Sequence, residues 1–279
     1  VNVNVLKRNS FIISIYFFVF FVLILTLFPV IWLFLLSLKT QLQAFTYPPL
    51  FFFKPTFKHY YEVVVASDFL KFFTNSLLIS LGEVALSMLI GVPAAYAFRR
   101  AQLRFRRGII TWTLAARMLP AMVYVIPFFY VYTRWVRLID TRLGLIIVYL
   151  VFNLPIVVWT MDGFFAQMPR ALEEAAKMDG ASTFQTFLHI VLPLSTTGLV
   201  ATSIIVFMWC WNEFIFALVL TRRRALTAAI AIVNFMAYEG IEWGSLAAGA
   251  MIVLIPVILF SIMVRKYLAT AVLGGALKG

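Results

Sequence analysis

The feature that most restricts this chain is a series of six long apolar runs, separated by short segments that hold nearly all of its charge. They cover about 11–36, 72–98, 109–132, 143–166, 196–220 and 245–264, each close to the ~20 residues that cross a hydrocarbon core as a helix. A helix satisfies its backbone amides within its own segment. The expected fold class is therefore an all-α membrane protein with six transmembrane helices, forming one membrane domain over residues 1–279. Charged residues make up 12% of the chain, against ~25% in soluble domains. The first run follows Lys7 and Arg8, is too long for the apolar part of a signal peptide and precedes no A-x-A-like site. An uncleaved first span is expected.

The net charge of +12 invites a nucleic-acid reading. Its placement argues otherwise, because short basic loops between apolar runs suit anionic headgroups; the expected partner is the lipid bilayer, and no nucleic acid is expected. With both termini on one side, that side holds twelve Lys and Arg and the other ten, with Arg117 inside a span. The positive-inside rule thus favours cytoplasmic termini only slightly. Five basic residues in the loop 99–108 carry most of the bias, and Arg222–Arg224 oppose it.

No G-x-x-x-x-G-K-[ST] stretch is present, so no phosphate-cradling loop is expected. The two histidines, His59 and His189, form no metal-spaced set, and no catalytic residue or cofactor is expected in this chain. Cys210, the lone cysteine, sits between Trp209 and Trp211 and reads as a packing residue. Three ionisable residues stand out within spans: Glu83, Arg117 and Glu213. Such groups face a bundle interior or water, so with Asn153 and Asn212 they form a candidate translocation path; contact between helices is the competing reading. Trp211, Asn212 and Glu213 together would suit a hydroxyl-rich solute. Pro120, Pro127, Pro155 and Pro256 interrupt spans where helices must bend. Trp112, Trp159 and Tyr130 have rings that can stack on a sugar, although aromatic residues in a membrane protein mostly face lipid, interface or core.

One polar interruption, within 167–195, looks built. Pro169 suits a first helical residue. Glu173 and Glu174 fall near the helix start and Lys177 near its end, with Glu173–Lys177 and Glu174–Lys177 spaced to pair. Gly180 can end that helix in the left-handed conformation. Ser182 and Gln185 read as a capping box for a second helix that Pro193 interrupts. The stretch is too polar to cross a bilayer and reads as an exposed docking element.

Its spacing, Glu174-Ala175-Ala176, three residues, Gly180, nine residues, Ile190, one residue, Leu192-Pro193, resembles the EAA loop of bacterial binding-protein-dependent ABC importers. NSLLIS at 75–80, AAYAFRR at 94–100, Leu138-Ile139-Asp140-Thr141, FNLP at 152–155, WNEFIFALVLT at 211–221 and the closing GGALKG are similar to carbohydrate permease subunits of the MalG type. The resemblance implies the MetI-like permease fold with a cytoplasmic coupling loop. Glu173, Glu174, Ala175, Ala176, Lys177, Asp179, Gly180, Ile190, Leu192 and Pro193 would belong to that loop. It also implies a homologous second permease subunit, two ATPase subunits that bind ATP and Mg, and an extracytoplasmic solute-binding protein. The cargo would be a sugar or oligosaccharide, or an anionic solute such as a glycerol phosphate or acidic sugar, with much of the contact made by the partner permease. The loop from Thr221 to Gly244 would face outward and the tail ending in Lys278 would reach toward the ATPases. An autonomous ion-coupled carrier using Glu83, Arg117 and Glu213 is the alternative of a different class.

Overall fold

The computed structural model describes residues 2–101, 104–237 and 240–276 and, for 2–11, 107, 237, 240 and 264–276, the backbone alone. Lys278 lies outside the described residues. Two compact units emerge, Val1–Leu70 with Ile232–Leu254, and Lys71–Ala231 with Ile255–Gly279.

In the first unit, α1 (Asn2–Ser37) leads into α2 (Gln41–Ala44) and α3 (Lys58–Tyr61), which continues as a widened turn over Glu62–Ala66. The Ile12–Ser37 part of α1 is apolar and is exposed over residues 12–31, as a lipid-facing helix would be. Thr40 and Gln43 close a capping box on α2. The Lys39 ammonium lies over the rings of Trp32 and Phe53, at 4.8 and 5.2 Å, where the faces of the two rings replace water. His59 joins Ser245 Oγ (3.2 Å) and the Lys39 carbonyl (3.0 Å). A two-residue antiparallel pair, β1 (Met236–Ala237) with β2 (Gly240–Ile241), sets Met236 opposite Ile241. This part of the chain, read from sequence as plain loop, thus carries a hairpin, and α13 (Ala228–Val233) precedes it.

The second unit contains α4 (Phe69–Arg100), α5 (Arg106–Arg117), α6 (Ala121–Val131), α7 (Arg142–Gln167), α8 (Arg170–Met178), α9 (Thr183–Thr186), α10 (Leu192–Leu194), α11 (Thr196–Asn212) and α12 (Ile215–Leu220). The last long helix, α14 (Trp243–Ala276), runs through residues of both units. At the centre, α7 packs on α5, α11 and α12, and α12 packs on α6. Leu145, Val148, Tyr149, Phe152, Val157, Met161 and Phe165 mark the buried face of α7 at helical spacing. Gly198 lets α11 approach, since a Cβ there would lie 2.6 Å from the Phe164 ring; small residues of this kind permit close packing in lipid.

Four helices among the described residues are long and apolar enough to cross a membrane, and two bent pairs bring the number to six if each is one span. The run 109–132 is therefore not one straight helix, and the run 196–220 is divided between α11 and α12. Between α5 and α6 the chain turns by 87° at Met118–Pro120. Pro120 disfavours helix at Leu119 and offers no amide to the preceding turn. A second bend, of 76°, falls at Ser195, and α11 stops at Glu213–Phe214 before α12 begins.

Candidate functional site

Two places gather the residues singled out in the sequence. The first is the polar stretch. Pro169 precedes α8 as its N-cap, with extended backbone, rather than occupying its first turn. The helix has two characters. Glu173 and Ala176 are buried, while Glu174, Ala175, Lys177 and Asp179 are exposed. The expected Glu173–Lys177 pairing gives way to a tertiary one. The Glu173 carboxylate accepts from Tyr96 Oη (2.8 Å) and Arg100 Nε (3.0 Å), and a third bond comes from Arg100 Nη2. The reason is geometric, because Tyr96 and Arg100 are one turn apart at the end of α4 and present hydroxyl and guanidinium together. A bidentate partner beside a buried carboxylate outweighs a solvent-exposed lysine.

The helix then ends as its glycine suggests. Gly180 has φ +88°. The Ala181 amide donates to the Ala176 carbonyl (3.0 Å) and that of Gly180 to Lys177 (3.1 Å), the two bonds of a Schellman cap. Ser182 and Gln185 form the capping box on α9. A widened turn over Phe187–Val191, holding Ile190, joins α9 to α10, which contains Leu192 and Pro193. The outcome is a capped hairpin with an exposed outer face (Glu174, Ala175, Lys177, Met178), tied through Glu173 to α4.

The second place is a cavity of about 630 Å³ bordered by α5, α6, α7, α11 and α12. Arg117, Asn153, Asn212 and Glu213, four of the five path candidates, all line it. Glu83 does not. It is fully buried and accepts from Cys210 Sγ (3.1 Å), which in turn accepts from Asn153 Nδ2 (3.2 Å). Cys210 is thus a bridge between polar side chains as well as a packing residue. Arg117 donates from Nη1 to the Phe152 carbonyl (2.9 Å) and to Asn153 Oδ1 (3.4 Å), and stands 5.2 Å from the Trp209 ring centroid. Phe152 lies in the turn of α7 that Pro155 loosens.

Glu213 has a second task. Its carboxylate accepts from Tyr149 Oη (2.8 Å) and from the Phe216 and Ala217 amides (2.9 and 3.2 Å), so it caps α12 where the broken helix leaves amides without partners. Trp112, Trp159 and Tyr130 are exposed and none borders the cavity.

A third cluster brings Asn75, Ser76 and Asp140 against the chain at 222–228. The Asp140 carboxylate, at a residue with φ 58°, accepts from the amides of Arg222, Arg223, Arg224 and Ala225 at 2.9–3.2 Å. Burial works to raise its pKa, and those four amides outweigh it, holding the carboxyl below its ordinary value. Asn75 Nδ2 donates to the Arg224 and Leu226 carbonyls, Asn75 Oδ1 accepts from Arg142, and Ser76 Oγ accepts from the Ala228 amide. The arginine triplet is therefore a backbone turn wrapped around one carboxylate. The polar pairs Asn75–Ser76, near the start of an apolar run, and Asp140–Thr141, between two runs, were the signal in the sequence.

Known proteins share this architecture. Residues 87–272 match the family described as binding-protein-dependent transport system inner membrane component. The trehalose transport system permease protein SugB of Mycobacterium tuberculosis is 37% identical over 259 residues, covering 91% of this chain and 93% of its own. The trehalose/maltose transport system permease protein MalG of Thermococcus litoralis is 33% identical over 282 residues, 99% of each. Among solved structures, a chain of a bacterial ABC transporter involved in import of the acidic polysaccharide alginate superposes with TM-score 0.77 at 23% identity, covering 94% of this chain and 97% of that one. A match of this extent makes the chain a member of the binding-protein-dependent inner membrane components, the permease subunits of ABC importers, which are membrane components and not ATPases.

Proposed function

We propose that this permease carries a sugar or oligosaccharide, handed over by a solute-binding protein, across the bacterial inner membrane. A homologous second permease and two ATPase subunits holding ATP and Mg complete the complex. The observation that carries the reading is the division of α8 into an exposed outer face and a face anchored on α4. That is what a helix needs in order to take force from a partner and pass it to a membrane span. Glu174, Ala175, Lys177 and Asp179 meet the ATPase; Glu173 and Ala176 hold the helix in place; Gly180, Ile190, Leu192 and Pro193 shape the return. Closure of the ATPases then moves α8 and α4 together, and a rigid-body rotation exposes the path to alternate sides. Arg117, Asn153, Asn212 and Glu213 belong to that path. The coupling loop and both termini face the cytoplasm, and the residues from Thr221 to Gly244 face outward. Relatives that include permeases named for trehalose and for maltose support the choice of saccharide.

The test is reconstitution in vesicles. The four-subunit complex with its binding protein takes up saccharide only with ATP. Replacing Glu174, or Gly180 by valine, abolishes uptake while the chain still inserts. Solute movement by the purified chain alone on an ion gradient would make it a carrier and overturn the reading.

A further inference from the structure

Arg117 is an unusual group to find on the wall of this cavity. Its Nη1 is engaged by the Phe152 carbonyl and Asn153 Oδ1. The Nε–H and both Nη2–H groups have no acceptor among the described residues, and no carboxylate lies within 4.0 Å. Glu83 attracts it from a distance without an ion pair, being fully buried behind Asn153 and Cys210 and away from the cavity wall. Glu213 does border the same space, but it is committed to Tyr149 and to the start of α12.

A guanidinium at membrane depth is expensive unless something pairs with it. For a neutral sugar, an amide at this position would donate to hydroxyls at lower cost. Trp209 adds little as a stacking platform, since the Arg117 guanidinium and Phe152 both lie against its ring. The cavity therefore offers a cationic fork, separated from a fixed carboxylate that can accept from hydroxyls. Resting on the reading of this chain as a saccharide permease, we propose that Arg117 recognises an acidic group on the transported saccharide, a carboxylate on a sugar ring. Two parallel N–H···O bonds from Nε and Nη2 match a planar carboxylate. Glu213 and Asn212 then face the hydroxyls of the same solute. A volume of about 630 Å³ lies within the ~300–1,000 Å³ common for small-solute sites.

The experiment measures equilibrium binding to the permease–ATPase complex in nanodiscs without the solute-binding protein, so that selection upstream does not mask the cavity. The probes are 1,4-linked digalacturonate and its neutral counterpart, galactobiose. The wild-type complex binds the diacid roughly tenfold more tightly, the factor one good charged hydrogen-bonded pair supplies. Arg117→Gln removes the preference, so that the diacid binds no more tightly than galactobiose. Arg117→Lys, which keeps the charge and guards against simple misfolding, retains part of it. Equal affinities in the wild type, a preference that survives Arg117→Gln, or binding of neither probe would overturn the proposal. ATP-driven uptake of a neutral saccharide, measured in parallel, would persist in those cases and leave the importer reading standing.

Discussion

Among the described residues, Asp140 gathers more backbone amides than any other single side chain. Four amides, from Arg222 to Ala225, converge on one carboxylate. Its folded-state pKa is depressed, so the stabilisation it brings is fully present above the ordinary carboxylate value of ~3.9 and is lost as pH falls through the lower folded value. Hydrogen-exchange protection of amides 222–225 should hold steady from neutral pH down to about 5 and collapse only below about 4. Asp140→Asn, with a single acceptor oxygen, should lower that protection even at neutral pH. Gly180 makes a different demand. Its φ is +88° and a Cβ there would meet nothing within 4 Å, so the cost of a side chain is purely conformational, about 1–2 kcal/mol. Gly180→Val should lower the thermal midpoint and uncouple uptake from ATP hydrolysis. Gly180→Asn, which tolerates the left-handed region, should do so much less.

Among the elements, α8 and α12 are both held by glutamates, in different ways. Glu173 fastens α8 to α4 as a buried partner of Arg100 and Tyr96. Glu173→Ala strands a half-buried guanidinium and should cost on the order of 3 kcal/mol, read as detergent thermal unfolding. With the link removed, ATP hydrolysis should continue while uptake falls. The Arg100→Ala/Glu173→Ala double variant should be less destabilised than the sum of the two single variants, because neither partner is left charged and alone. Glu213 holds the start of α12, and Glu213→Ala should destabilise by roughly 2 kcal/mol by leaving the Phe216 and Ala217 amides without acceptors. Its role in solute contact then has to be read from Glu213→Gln, which keeps one capping oxygen.

For the molecule as a whole, a buried polar chain crosses the second unit from Arg117 through Asn153 and Cys210 to Glu83. Cys210 is 5% exposed and is the only cysteine. Maleimide labelling of the resting complex should therefore be slow and reach completion on denaturation; rapid labelling at rest would contradict this packing. The spans themselves were legible because hydropathy is a local property. The capped hairpin at 169–193 was legible because proline, glycine and capping boxes act within a few residues of themselves. What escaped were bonds between residues far apart in sequence. Glu173 looked like a partner for Lys177, and for Glu213 the path and helix-contact readings both stood open.

Sequence by itself determined that this chain lies in a membrane, that a polar capped hairpin interrupts its apolar runs near 169–193, and where that hairpin turns. Each follows from short-range chemistry: apolar length, amide satisfaction within a helix, and the backbone freedom of Gly180. Only the tertiary structure decided which glutamate of the Glu173–Glu174 pair faces inward and that spans three and five are broken. It alone also brought Arg117 and Glu213 to one cavity while withdrawing Glu83 from it. Those outcomes depend on which helices meet and how closely, and no periodicity within a single helix encodes that.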